Sequence, residues 1–317
     1  MLTSMEPAEI VGCACDGYTQ LEQMVEARAR ETTLVLVDLD GTLLTHDKRV
    51  TSATVAAVRA AEAAGVMVVP ATGRALTALP EELFGLVRYA VCGAGSSVFE
   101  LGASVADSTM LMERGLAPME ACRLVKGLLD RFGTDVFVDV GVGGRVLTSE
   151  DQLARLRSFA FNPDSIDYVR RTRELGLAIP EGIAELDAPV GRLNLFYRAP
   201  ELRDKIMAWL RAHADVELAN SLGSNIEVNA HGTSKWGGLQ WLAEHEGVPA
   251  DRVLALGDGS NDADMLAHAW LGVAMRDAQG EVLRAAQART AYTNDQEGVA
   301  RVLREVVALK SEDTGGE

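Results

Sequence analysis

Basic residues are in short supply: thirty Lys and Arg stand against forty-six Asp and Glu, a formal net charge of −16. A chain so acidic is not built for general binding to nucleic acid or to an anionic membrane, both of which draw on positive fields. Cysteine is equally sparse. The four, Cys13, Cys15, Cys92 and Cys122, are too few and too scattered for a disulfide framework or a four-thiolate zinc site, and no further Cys or His stands close to the Cys13/Cys15 pair. No apolar run approaches the roughly 18 to 20 residues of a membrane-spanning helix. The N-terminal stretch has no basic segment followed by an apolar one, so a cytoplasmic protein is expected. Internal repeats and low-complexity segments are absent too. What remains is an ordinary globular composition, 48% hydrophobic and 24% charged with a mean hydropathy of +0.05. At 317 residues the chain has room for two domains, or for one domain with a large insertion.

The chemistry begins at Leu34-Val35-Leu36-Val37-Asp38-Leu39-Asp40-Gly41-Thr42. Four aliphatic residues in succession predict a strand buried on both faces, as the centre of a parallel sheet requires. Asp38 and Asp40, one residue apart at its end, project toward the same opening while Leu39 packs inward. Gly41 permits a sharp turn and Thr42 adds a hydroxyl. Ligands of open parallel sheets bind beyond the carboxyl ends of the strands, which is where these acids stand.

Three later stretches repeat or complement this design. An Ala-rich segment over 51–65 predicts a helix, and Val66-Met67-Val68-Val69 then predicts a strand that ends in Ala71-Thr72-Gly73-Arg74. As a right-handed βαβ unit this places Thr72 on the same sheet edge as Asp38. Gly232-Thr233-Ser234-Lys235 opens a helix with a hydroxyl cap, leaving Lys235 beside unpaired backbone N–H groups, an arrangement that suits an anion. Val253-Leu254-Ala255-Leu256 predicts another buried strand, running into Gly257-Asp258-Gly259-Ser260-Asn261-Asp262.

Between the second and third stretches the pattern changes. Residues 89–92 and 96–100 predict a strand and its return around a glycine-rich turn. Beyond them come a helix over 119–132, strands over 136–140 and 145–147 joined by a glycine-rich hairpin over 141–144, a helix near 152–160, a strand over 192–197 and a helix over 200–213. Such α+β order between two blocks of parallel character indicates an inserted domain. The expected organisation is an appendage over 1–30 and an α/β core with a Rossmann-like parallel sheet over 31–104 and 221–311. The α+β cap spans 105–220 and a tail follows from 312 to 317. An alternating strand over 225–229 falls in the second core segment.

Together, Asp38 and Asp40, Thr72, Lys235, Asp258, Asn261 and Asp262 occupy one sheet edge. Asp38 and Asp258 offer hard oxygen ligands for Mg²⁺, and Thr72 and Lys235 offer donors for a phosphoryl group. One carboxylate is left as nucleophile and one as acid or base, a covalent phosphatase arrangement.

With these four motifs in order around a large insertion, the chain resembles the haloacid dehalogenase superfamily, and within it the Cof-like phosphatases with a type II cap. Gly272-Val273-Ala274-Met275 with Asp277-Ala278, and Glu297-Gly298-Val299-Ala300, extend the resemblance. It implies that Asp38 attacks phosphorus to form an aspartyl phosphate and that Asp40 protonates the leaving alkoxide, then deprotonates water. It also implies Mg²⁺ held by Asp38, the main-chain carbonyl of Asp40 and Asp258, with Asp262 turned toward the metal's waters or Lys235. Thr72 and Lys235 hold the phosphoryl group, with Asn261, Gly73 and Arg74 as supporting or phosphate-binding contacts. Where the family often shows Asn-Gly-Ala, this chain has Gly93-Ala94-Gly95-Ser96. The implied partner is a small phosphorylated metabolite, a sugar phosphate first and pyridoxal phosphate or flavin mononucleotide as alternatives. The oligomeric state is open. A dehalogenase would not need the second acid at Asp40. A phosphomutase on the same core and a catalytically silent binding protein are the competing readings.

Overall fold

The computed structural model describes residues 2–4, 16–159, 163–219, 225–278 and 280–314. Cys13 and Cys15 lie outside them. The apolar runs form a parallel sheet in which Leu34–Val37 lies between Met67–Pro70 and Val253–Gly257, followed outward by Leu271–Ala274 and Ala288–Thr290. Leu2–Ser4 pairs antiparallel with that last strand at the edge. Every residue of Leu34–Val37 and of Val253–Gly257 is buried, which is why these strands carry no polar alternation.

Helices cover both faces. On one side Ser52–Ala63, started by Thr51 whose hydroxyl accepts from the Thr54 N–H, packs with Gly298–Thr314. On the other, Lys235–Glu246 sets Trp236, Leu239 and Leu242 against Leu36, Val69 and Ala255. The helix Asp16–Glu31, read from sequence as part of an appendage, buries Val25 and Ala29 in the first of these layers. Lys310 ties its end down, donating to the carbonyls of Arg30 and Thr32. The helix Gly298–Thr314 continues past 312, where a tail is expected. Among the described residues no helix is long and apolar enough to cross a membrane.

A second sheet, antiparallel throughout except at one edge, has the order 216–219, 225–230, 192–197, 136–142, 145–148, 174–175. One face is apolar, with Val138, Val140, Leu193, Leu195, Ile226 and Val228 buried together with residues of the helices Pro118–Phe132 and Arg203–His213. Two expectations change here. Asn225–Ala230, read as a core strand, pairs with Leu193–Phe196 in this antiparallel sheet. Its alternation of polar and apolar residues fits a sheet with two unlike faces. Thr109–Glu113, read as part of the insertion from 105, pairs with Ser97–Glu100, whose other edge pairs with Tyr89–Cys92, in a small three-stranded sheet. That sheet is joined to the parallel core where Ala71 bridges Val91.

Candidate active site

Asp38 leaves the end of its strand with its N–H bonded to the Leu256 carbonyl, so its side chain emerges between the two central strands, and it is buried. Lys235, 2% exposed, meets it there: Nζ donates to Asp38 Oδ1 at 2.5 Å and to Asp262 Oδ1 at 2.5 Å. The Ser234 side chain accepts from the Gly237 N–H and starts the helix, and this holds Lys235 in its first turn. Asp262 uses its other oxygen to accept from the backbone N–H groups of Asp258 and Gly259, each at 3.0 Å. It therefore braces the turn that presents Asp258. The Thr42 hydroxyl donates to Asp258 Oδ1 at 3.0 Å, which links the first loop to the last.

Gly41 is required at this junction. Its φ is +89°, and a Cβ built there would lie 2.4 Å from Asp258 Oδ2. Gly95, with φ +102°, lies against the helix start: a Cβ would lie 1.9 Å from the Ser234 carbonyl oxygen. The Gly93–Gly95 turn that departs from the family pattern thus packs under Lys235.

The electrostatics follow from crowding. Asp38, Asp258 and Asp262 can each offer an oxygen within 4.8 Å of the others. Burial, then the nearby Asp262, raises Asp38 well above the usual carboxylate range against the opposing pull of Lys235. Burial and Asp262 push Asp258 up to about 6. Burial alone would lower Lys235, but Asp262 and Asp38 together hold it above its ordinary value. Two buried carboxylates and a half-buried one thus face one ammonium. Hard oxygens in excess of local positive charge fit a divalent cation.

Asp40 has a different environment. Arg74 grips it with both arms, Nε to Oδ2 at 2.7 Å and Nη2 to Oδ1 at 2.8 Å, and Lys48 Nζ reaches Oδ1 at 2.8 Å. Burial works against the charged form, yet the bonds and charge of Arg74, helped by Lys48, bring Asp40 down to about 2. Thr72, buried, accepts from the Arg74 N–H at its hydroxyl and donates its own N–H to the Val91 carbonyl. Gly73 presents its carbonyl to Arg192 of the antiparallel sheet, which also bonds Glu227. Asn261 lies half-buried on the 260–262 turn, with its Oδ1 over Gly259.

The structure therefore gathers Asp38, Lys235, Asp258 and Asp262 into one bonded cluster, and Asp40 with Arg74 into a second on the same loop. Sequence reasoning passed over Lys48 and the Arg192–Glu227 pair as site residues. Lys48 belongs to a turn and has φ +61°, a conformation no residue pattern announced. Arg192 and Glu227 lie on strands of the other sheet.

Acids at the carboxyl edge of a parallel sheet, met by an antiparallel sheet that reaches across to the same loops, define the class as a capped α/β hydrolase. Residues 35–303 match the family model for haloacid dehalogenase-like hydrolases, and the chain belongs to that family. Several of the curated proteins it is similar to are named phosphatases. A 5-amino-6-(5-phospho-D-ribitylamino)uracil phosphatase of Bacillus subtilis is 29% identical over 273 residues, covering 86% of this chain and 94% of its own length. Among solved structures, a haloacid dehalogenase-like hydrolase from B. subtilis gives a TM-score of 0.72 at 24% identity, covering 86% of this chain and 99% of its own. A subclass IIB sugar phosphatase of the same superfamily gives 0.69 at 20% identity, covering 86% and 98%. At those identities the two structures speak to the fold alone.

Proposed function

We propose that this phosphatase hydrolyses a small phosphorylated metabolite, with Mg²⁺ as its metal and Asp38 as its nucleophile. The observation that carries the proposal is the imbalance at the cluster: Asp38, Asp258 and Asp262 against Lys235 alone. Asp38, the Asp40 carbonyl and Asp258 would hold the ion, which when bound neutralises carboxylate and phosphoryl charge.

The remaining work falls to the chain. Lys235 fixes Asp38 by one oxygen, which leaves the other for attack on phosphorus, and offers its positive charge to the transferring group. Thr72 is assigned to the same group as a hydroxyl donor. Attack gives an aspartyl phosphate on Asp38 and releases an alkoxide, which takes a proton from Asp40; Asp40 then recovers a proton from the water that hydrolyses the intermediate. In the free protein Asp40 is held ionised by Arg74 and Lys48. Those are also the cations a phosphoryl group recruits. Sharing them with substrate would loosen that hold and raise Asp40's affinity for protons, the direction in which a general acid must move.

The leaving group is read as a sugar or sugar-like alcohol. In support, one relative's name carries a phosphorylated ribityl chain. The test is release of phosphate from p-nitrophenyl phosphate and from a panel of sugar phosphates, with Mg²⁺ and with chelator, and mass analysis of acid-quenched protein. Mg²⁺-dependent turnover with phosphate trapped on Asp38 is expected. Turnover unchanged by chelator, or phosphate on another residue, would overturn the reading.

A further inference from the structure

The antiparallel sheet has a second face, and it is polar and buried at once. Register puts Asp139 opposite Asn194, and Asn194 opposite Glu227, so the three form one rung across three strands. Two residues along the same strands, Arg192 lies opposite Gly141. Asp139 is 0% exposed, Glu227 2% and Asn194 3%. A row of buried charge and amide on a sheet face is costly unless each group has a partner.

Part of this row is satisfied by the catalytic core. Arg192 donates to the Gly73 carbonyl, and Asn229 Nδ2 donates to the Gly93 and Gly191 carbonyls. A Cβ at Gly73 would meet Arg192 Nη1 and Glu227 Oε1, each at 3.2 Å. The polar face therefore starts against the loop that carries Thr72 and Arg74. From there the rung of Asp139 lies roughly 7 Å further along the strands, at about 3.4 Å per residue. At its far end the same face turns apolar, where Phe137 and Phe196 pack with Leu153, Leu156 and Val169.

Asp139 sits between these zones, and its bonding is lopsided. Its Oδ2 accepts from Arg173 Nε at 2.9 Å and from Asn194 Nδ2 at 3.2 Å, and it lies 2.9 Å from Arg173 Nη2. Its Oδ1 is fully buried with no hydrogen-bond partner. An arginine facing a carboxylate usually bonds both oxygens in parallel, as Arg74 does with Asp40. Here the guanidinium addresses one oxygen and leaves the second without a donor. Arg173 follows the helix Pro163–Thr172, so the end of that helix closes over Asp139.

We propose that the rung Asp139–Asn194, with Arg173 over it, is the subsite for the leaving group. Asp139 Oδ1 accepts from a hydroxyl of that group, which selects phosphate esters of polyhydroxylated chains over esters of plain alcohols. The proposal rests on the phosphatase reading above and adds the residues that choose the substrate. An ionised carboxylate accepts only, so the complementary ligand atom is an O–H or N–H. A short polyol chain on the phosphoryl group spans the distance between the two rungs. Entry requires the Tyr168–Arg173 segment to swing aside, since Asp139 is sealed as the structure stands.

The experiment compares ribitol 5-phosphate with n-pentyl phosphate, which has the same carbon chain without hydroxyls. In the wild-type protein kcat/KM for the polyol ester is expected to exceed that for the pentyl ester by about 10²-fold, because an unmet buried acceptor penalises the ester that cannot donate. Asp139→Asn should reduce that ratio about tenfold, mainly through KM of the polyol ester. Should Asp139→Asn fail to unfold cooperatively, inhibition of wild-type p-nitrophenyl phosphate hydrolysis decides: ribitol should inhibit at lower concentration than pentanol. A wild-type ratio near one, a ratio left intact by Asp139→Asn, or equal inhibition by the two alcohols would overturn the subsite. Absence of Mg²⁺-dependent release from p-nitrophenyl phosphate would instead overturn the phosphatase reading, so the two failures are distinct.

Discussion

The core and the antiparallel sheet both bury acids, but they balance them differently. At the core edge three carboxylates share one lysine. On the polar face of the other sheet each acid has its own arginine, Asp139 with Arg173 and Glu227 with Arg192. A buried cluster left negative seeks a cation and then an anion behind it; a set of neutral pairs seeks neither. The first arrangement is suited to moving a phosphoryl group and the second to recognising a neutral, hydrogen-bonding one. On the reading proposed above, reaction chemistry and substrate choice differ in charge balance.

The comparison breaks most sharply at Asp38. Asp38→Asn keeps size and removes the proposed nucleophile, and kcat on p-nitrophenyl phosphate should fall by more than about 10⁴-fold, as for residues that form a covalent intermediate. A loss of tenfold or less would place the nucleophile elsewhere.

Asp40→Asn is expected to cost steady-state turnover about 10²- to 10⁴-fold while leaving the first half-reaction on an aryl ester fast, since phenolate departs without a proton. Rapid quench should then show a burst of about one phenolate per site, followed by slow release. An alkyl sugar phosphate should show no burst. Unimpaired turnover of the sugar ester would end the assignment of Asp40.

Asp258→Asn tests the imbalance itself. The Mg²⁺ concentration for half-maximal activity should rise by tens of fold, because one of few protein carboxylates is gone. There is also a pH signature without metal. Asp258 is pushed up to about 6 in the folded protein against an ordinary value of 3.8. Between those values the folded state binds more protons than the unfolded, so metal-free stability falls as pH rises through that window. Asp40, held near 2, acts in the opposite sense: its contribution is present above 3.8 and is lost as pH falls through about 2. Melting temperature against pH in chelator should decline from pH 4 to 6 in the wild-type protein more steeply than in Asp258→Asn, and Mg²⁺ should raise it at pH 7. Parallel curves would refute the shared-charge account of the cluster.

The smallest effect on turnover is expected at the cap. Arg173→Gln leaves Asp139 buried without its cation, which should lower stability by about 3 kcal/mol, while kcat on p-nitrophenyl phosphate stays within about tenfold of wild type. Denaturant unfolding measures the first and steady-state kinetics the second. A loss comparable to that of Asp38→Asn would mean that the two regions are not separable in this way.

The core was legible because its strands are unbroken aliphatic runs ending in acids or small residues, and burial on both faces permits little else. Asp38 and Asp258 could be placed on one edge because each follows a buried strand, and Lys235 because it opens a helix. Lys48 could not, since its approach to Asp40 depends on a left-handed turn. Asn225–Ala230 was placed with the wrong sheet for a physical reason. Alternation shows that a strand has two unlike faces but not which strand it pairs with, and the nearby Lys235 motif drew it toward the core. The rung of Asp139, Asn194 and Glu227 was hidden for the same cause: in sequence, alternate polar residues look solvent-facing, and only the register shows them to be buried together.

The central strands Leu34–Val37 and Val253–Gly257 are neighbours in space and more than two hundred residues apart in sequence, and the Lys235–Asp38 bond spans 197. Closing a flexible loop of that size is an entropic cost that grows slowly with length, and a segment that folds first shortens the loop that must be closed. The antiparallel unit lies within that loop and pairs its own late strand, Asn225–Ala230, with Leu193–Phe196. Its formation draws the chain just before Lys235 back toward the Gly73 and Gly93 loops, through Arg192 and Asn229. During synthesis a ribosome-bound chain that ends before residue 253 lacks one wall of the site and the Asp258 carboxylate altogether. Half-made copies of this protein therefore carry the proposed nucleophile without the means to use it.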